Sequence, residues 1–177
     1  MSGRDLAVVG GQVRRAPRAM SQVVARCPFG FPAVVENLPY DQGGRPFPTL
    51  YYCTCPSLVA AVGALESAGG IRSWSRRLGE ESTLAASVEA AIDVTRRRRR
   101  RLVDRYGLTM VDAGSSLMTG VGGVADKGGV KCLHAHVAHA LAHPGYVFGE
   151  AILASVASPW CEDRHCTAFV PAAGLRE

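Results

Sequence analysis

The sequence predicts an α+β fold: one compact domain, a small β-sheet with at least one hairpin, and several helices packed against it. Three observations carry that expectation. The chain has 177 residues, enough for one domain with a real core. "TLYYCTC" (49–55) alternates as a strand does, placing Tyr51, Cys53 and Cys55 on one face and Leu50, Tyr52 and Thr54 on the other. Elsewhere the apolar residues recur at helical spacing, as with Leu58, Val62 and Leu65, or with Leu84, Val88, Ala91 and Ile92.

Residues 1–15 read as a loose N-terminal arm, 16–157 as the globular domain and 158–177 as an irregular tail. From Pro17 the segment "PRAMSQVVARC" permits a short helix, with proline early in the first turn. Cys27-Pro28, Gly30 and Pro32 then shape a loop, and Ala33 to Leu38 reads as a strand that pairs with 49–55 in a hairpin. Pro56 suits a first helical position, so Cys55 stands at a helix start, and Gly69-Gly70 ends that helix. "IRSWSRRLG" (71–79) reads as a short helix or turn. Ser82 is positioned to cap a long helix that stops at Gly107. A strand over 108–112 and a glycine-rich loop precede a histidine-bearing helix, and a last helix covers about 149–157.

Composition limits the function classes. The 47% hydrophobic and 20% charged content is that of a globular chain. The N-terminus lacks a signal-peptide pattern and no apolar run is long enough to cross a bilayer, so the expectation is a cytoplasmic protein with no membrane partner. Six cysteines in a reducing compartment suggest thiols, ligands or catalytic groups rather than a disulfide framework. The net charge of +5 comes from six consecutive arginines, Arg96, Arg97, Arg98, Arg99, Arg100 and Arg101. Such a run wraps the whole helix, and the expectation is a segment projecting into solvent, able to bind nucleic acid or another polyanion without base stacking.

"GGVKCLHAHVAHALAHPG" (128–145) holds four of the five histidines. At about 100° per residue, Cys132, His136, His139 and His143 fall on one stripe, with His134 about 160° away from His136. A thiolate and imidazoles in register are what a borderline metal requires. Cys27 and Cys55 each precede a proline, which holds the backbone extended. The candidate ligands are therefore Cys27, Cys55, Cys132, His136 and His139, with zinc as the expected metal and an iron–sulfur cluster as the alternative if thiolates predominate. Without metal, Cys132 or Cys55 could act as a nucleophile with His136 as its base. "GVGGVADKGGVKC" lacks the Walker pattern, yet Gly122, Gly123 and Lys131 ahead of a helix start suit a small anionic or phosphorylated ligand.

The blocks "RCPFGFPAVVENLPYD", "PFPTLYYCTCPSL", "LE.AGGI" and "GVGGV...GVKCLHAHVAHAL" together resemble, in that order, a bacterial family grouped as domain of unknown function five hundred and one. The resemblance spans roughly 26–149. It implies no activity, but it places Cys27, Cys55, Cys132, His134, His136 and His139 inside the family's blocks. Cys53 stands where the pattern expects an apolar residue, and the arginine run and the Cys161/Cys166 tail lie outside the family's blocks.

Overall fold

The structure is a computed structural model that describes residues 2–41, 43–124 and 129–171. Part of the expected glycine-rich loop (125–128) and the end of the expected tail (172–177) lie outside the described residues. The architecture is α+β: among the described residues, a three-stranded antiparallel sheet whose strands lie in sequence order is covered by six helices in a single compact domain.

Helix α1 (Gly3–Val13) stands where a loose arm was expected. Ser2 caps it by accepting from the Asp5 amide at 3.1 Å, and Val8 and Val9 are buried. The helix escapes sequence reading because Gly10 and Gly11 weaken its propensity. Gly11 has a packing role: a Cβ there would meet the Phe169 ring at 2.5 Å, so the glycine lets the C-terminal 3-10 turn (His165–Phe169) lie against α1.

Strand β1 (Met20–Arg26) replaces the helix expected from Pro17. Its β-branched Val23 and Val24 suit a sheet, and pairing with β2 (Pro32–Asn37) decides the outcome, with Val23 opposite Val35 and Arg26 opposite Pro32. The Cys27-Pro28-Phe29-Gly30 turn joins them, with Gly30 at φ +82°. All six residues of β2 are buried, as befits the central strand. Strand β3 (Tyr51–Cys53) completes the predicted hairpin, with Tyr51 and Cys53 buried and Tyr52 38% exposed.

Helix α2 (Pro56–Ser67) starts with Pro56 in its first turn and Cys55 as its cap, and buries Leu58 and Val62. Helix α3 (Gly70–Glu80) buries Trp74 and Leu78. Helix α4 (Ser82–Tyr106) is the long helix predicted, closed by Gly107 in the left-handed region, although Glu81 occupies the cap position rather than Ser82. Its buried stripe of Leu84, Val88, Ile92, Thr95, Arg99 and Leu102 runs straight through the arginines.

The arginine segment therefore does not project into solvent. Arg99 is 1% exposed and donates to the carbonyls of Ser116, Thr119 and Pro48 and to the Thr119 hydroxyl. Burial draws its guanidinium down to about 10. Arg98 forks onto the buried Glu36 carboxylate at 2.6 and 2.9 Å, and Arg96 donates to the Met118 carbonyl at 2.7 Å. Arg97, Arg100 and Arg101 remain exposed.

No strand forms at 108–112. Asp112 instead closes a turn, accepting from the amides of Gly114 and Ser116 and from the Tyr40 hydroxyl. Helices α5 (Leu133–Ala142) and α6 (Val147–Ala154) follow, α5 packing on β3, α2 and α6.

Candidate functional site

Cys132 is not on the helical stripe. It is the residue preceding α5, in extended conformation (φ −159°, ψ 128°), so the spacing of 100° per residue does not apply to its side chain. It turns instead toward His134, the histidine that the helical projection set apart. Glu66, near the end of α2, completes the group. One ligand atom from each of Glu66, Cys132 and His134 lies within 4.8 Å of the other two.

The hydrogen bonds of His134 define what this group can hold. Nε2 lies 3.0 Å from the Val59 carbonyl, an acceptor, so Nε2 carries a hydrogen. Nδ1 faces Glu66 Oε1 at 3.2 Å, and that oxygen already accepts from the Leu133 amide at 2.6 Å. Both ring nitrogens thus face oxygen acceptors, and the ring must either hold two protons or offer Nδ1 to a cation. The adjacent Cys132 side chain, opposed by partial burial and reinforced by the Val59 carbonyl and the Glu66 carboxylate, pushes His134 up to about 9.

A cavity of about 330 Å³ opens beside this group, walled by Tyr51, Tyr52, Cys53, Val59 and Ala135 as well as Cys132 and His134. Cys53 is buried and its thiol points at the His134 carbonyl at 3.5 Å; burial raises its pKa. Gly122, at φ +70°, lines the same cavity. Gly123 does not, and Lys131 reaches back to its carbonyl at 3.4 Å. The start of α5, which an anion could have used, is occupied by the chain's own Glu66 carboxylate.

The expected convergence of Cys27, Cys55, Cys132, His136 and His139 is not found: among the described residues, only Cys132 of these five belongs to a group of potential ligands. Cys27 and Cys55 are 7% and 2% exposed and lie in the hydrophobic core with Cys166, a position that raises Cys55. His136 and His139, each 2% exposed, belong to an aromatic cluster under the sheet. His136 Nδ1 bonds the Tyr146 hydroxyl at 2.7 Å, His139 Nδ1 lies 3.4 Å from the Thr95 hydroxyl, and His143 Nε2 bonds the Tyr51 hydroxyl at 2.7 Å. Burial draws His136 down to about 4; burial, then the neighbouring His143 and His136, draws His139 down to about 3. They are neutral core histidines.

Sequence reasoning missed Glu66 and set His134 aside. Glu66 sits within the block "LE.AGGI", but its partner is 68 residues away and only the tertiary fold brings them together. A Cys-x-His spacing across a helix start was the available signal for His134. A second group, Cys161, Asp163 and His165, lies on the C-terminal segment with Asp163 exposed. Among the described residues, no helix is long and apolar enough to cross a membrane.

A family model described as "Protein of unknown function (DUF501)" matches residues 23–154, a span that contains the Glu66/Cys132/His134 group and excludes the Cys161 group. No curated protein and no solved structure gives a significant match.

Proposed function

We propose that this chain, which belongs to the DUF501 family, is a zinc-binding protein whose ion is held by His134 Nδ1, Cys132 Sγ and a Glu66 oxygen. The observation that carries the reading is His134 itself. With Nε2–H on the Val59 carbonyl and Nδ1 turned to a carboxylate, the ring has the orientation of a metal-ligating histidine whose other nitrogen donates to a backbone oxygen. The 3.2 Å between Nδ1 and Oε1 is close to the edge of about 3.3–3.5 Å expected between nitrogen and oxygen ligands of a tetrahedral zinc. One thiolate, one imidazole and one carboxylate suit zinc and lack the thiolates of an iron–sulfur cluster.

Three protein ligands leave a fourth position for water or substrate, the pattern of a catalytic rather than a structural site. The neighbouring cavity supports that assignment. A zinc ion there would lower the pKa of a bound water toward neutrality. A thiolate ligand also favours a reducing, cytoplasmic setting, in keeping with six free cysteines.

Elemental analysis of protein purified without added metal tests this. One zinc per chain is expected, falling in Glu66→Gln, Cys132→Ser and His134→Gln and persisting in His136→Ala and Cys55→Ser. Absence of zinc, or full occupancy in the first three variants, overturns the reading. The closeness of His134 to Cys132 also favours one second reading, a metal-free thiol enzyme with Cys132 as nucleophile, His134 Nδ1 as base and the Val59 carbonyl holding the ring through Nε2. Its mark is zinc-free protein in which iodoacetamide alkylates Cys132 rapidly and His134→Gln slows the reaction.

A further inference from the structure

Tyr52, the outward residue of β3, is a shared wall of three cavities. The first, of about 510 Å³, is lined by Arg15, Arg18, Arg45, Asp41, Asn37 and Thr54, among others. The second, of about 480 Å³, shares Val13, Arg15 and Thr54 with the first, and shares Cys53 and Val59 with the cavity beside His134. Through these shared walls the three adjoin around Tyr52, with arginines lining the first and Cys132 and His134 lining the cavity beside α5.

The charged end is built from two loops. Asp41 and Arg45 neutralise each other at 2.9 Å. Arg15 and Arg18, exposed in the turn between α1 and β1, pair with no carboxylate among the described residues. Two guanidinium groups with no internal partner, at the rim of a concave site, present the forked donors that phosphate oxygens accept. An independent observation marks the same place. Thr54 is 2% exposed, lines both of the first two cavities, and its hydroxyl has no hydrogen-bond partner among the described residues. A buried hydroxyl without a partner is uncommon, and one beside a groove marks a position where a ligand atom would satisfy it.

We infer that these adjoining cavities act as one groove for a small phosphorylated molecule, its phosphate on Arg15 and Arg18 and its uncharged portion passing Tyr52 and Val59 to the zinc position. This rests on the zinc reading for the reacting end and not for the phosphate end. The anionic ligand expected from the sequence at Gly122, Gly123 and Lys131 is thereby relocated. The substrate class is a phosphate ester with an apolar or planar body, since the walls between the two ends are Tyr52, Val59 and Cys53.

Calorimetric titration with phenyl phosphate and with inorganic phosphate, at physiological ionic strength, tests the proposal. Phenyl phosphate is expected to bind at least about tenfold more tightly than inorganic phosphate, because only it reaches the apolar walls. Arg15→Gln/Arg18→Gln should weaken both ligands by at least about tenfold while leaving zinc content unchanged, and Arg97→Gln/Arg100→Gln, on the far surface of α4, should change neither. Tyr52→Ala should weaken phenyl phosphate and spare inorganic phosphate. Equal affinity in the Arg15/Arg18 variant, equal loss in the Arg97/Arg100 variant, or no binding of either ligand at millimolar concentration overturns the proposal. The zinc reading fails separately: phosphate binding that depends on Arg15 and Arg18 in a protein without zinc leaves this proposal standing and removes that one.

Discussion

Acid should weaken the fold through two buried histidines, His136 and His139. His136 and His139 stay neutral inside the protein down to about pH 4 and about pH 3, whereas in the unfolded chain each titrates near 6.5. Their folded pKa values are depressed, so between 6.5 and 4 the unfolded chain binds protons that the native state refuses. Linkage then makes stability fall as pH falls, and the stabilisation is fully present only above about pH 6.5. Integrated from pH 6 to pH 5, each histidine removes about 1.2 kcal/mol and the pair about 2.4 kcal/mol, a large part of an ordinary margin of about 5–15 kcal/mol. His134 does not contribute in that window, because its pKa is raised to about 9 and it is protonated in both states. Its own contribution is present below about 6.5 and fades as pH rises toward 9. Urea unfolding of chelator-treated protein at pH 6.0, 5.5 and 5.0 measures the slope. His139→Gln, which cannot titrate and keeps a polar group near Thr95, should reduce the loss by about half. A stability unchanged between pH 6 and 5, or a slope unaltered in His139→Gln, would refute the assignment of these residues as neutral core groups.

Two further outcomes follow from α4. Arg98→Met leaves the Glu36 carboxylate, 1% exposed, with Ser21 and Gln22 as its remaining partners among the described residues, and should cost about 3–5 kcal/mol in denaturant unfolding. The double variant Arg98→Met/Glu36→Gln should recover most of that loss. On the outer face, Arg97, Arg100 and Arg101 share their surface with the exposed Asp93 and Asp104, so replacing the three with glutamine should lower heparin retention only modestly and leave the unfolding free energy within about 0.5 kcal/mol of the parent. Strong, salt-sensitive RNA binding lost in that variant would instead establish the polyanion role read from the sequence.

What the sequence made legible was local order. The hairpin, the proline start of α2, the glycine stop of α4 and the shared face of Tyr51 and Cys53 follow from alternation, capping and helical spacing over a few residues. What stayed hidden depends on partners far along the chain. β1 looks helix-compatible until β2 is available to pair with it, and Arg99 looks solvated until Pro48, Ser116 and Thr119 supply carbonyls to its guanidinium. The histidine segment shows both cases. Its helix was readable, but a residue at the helix boundary does not obey the helical wheel, and Cys132 stands on that boundary. Treating it as the first residue of the stripe linked it to His136 and His139; its extended backbone links it to His134 and Glu66.

The seat of Phe169 against Gly11 bears on where this protein can be cut. The family model begins at residue 23, inside β1, and ends with α6 at residue 154, so its span includes neither α1 nor Phe169. Yet Val9 of α1 packs with Met20 and Val35, Val8 enters the main core, and Phe169 fills the surface over Gly11. A fragment trimmed to the matched span would break β1 within its pairing and uncover one side of the central strand. The matched span is thus shorter than the packed unit: α1 and the His165–Phe169 turn, both outside the match, close on each other over one side of the sheet.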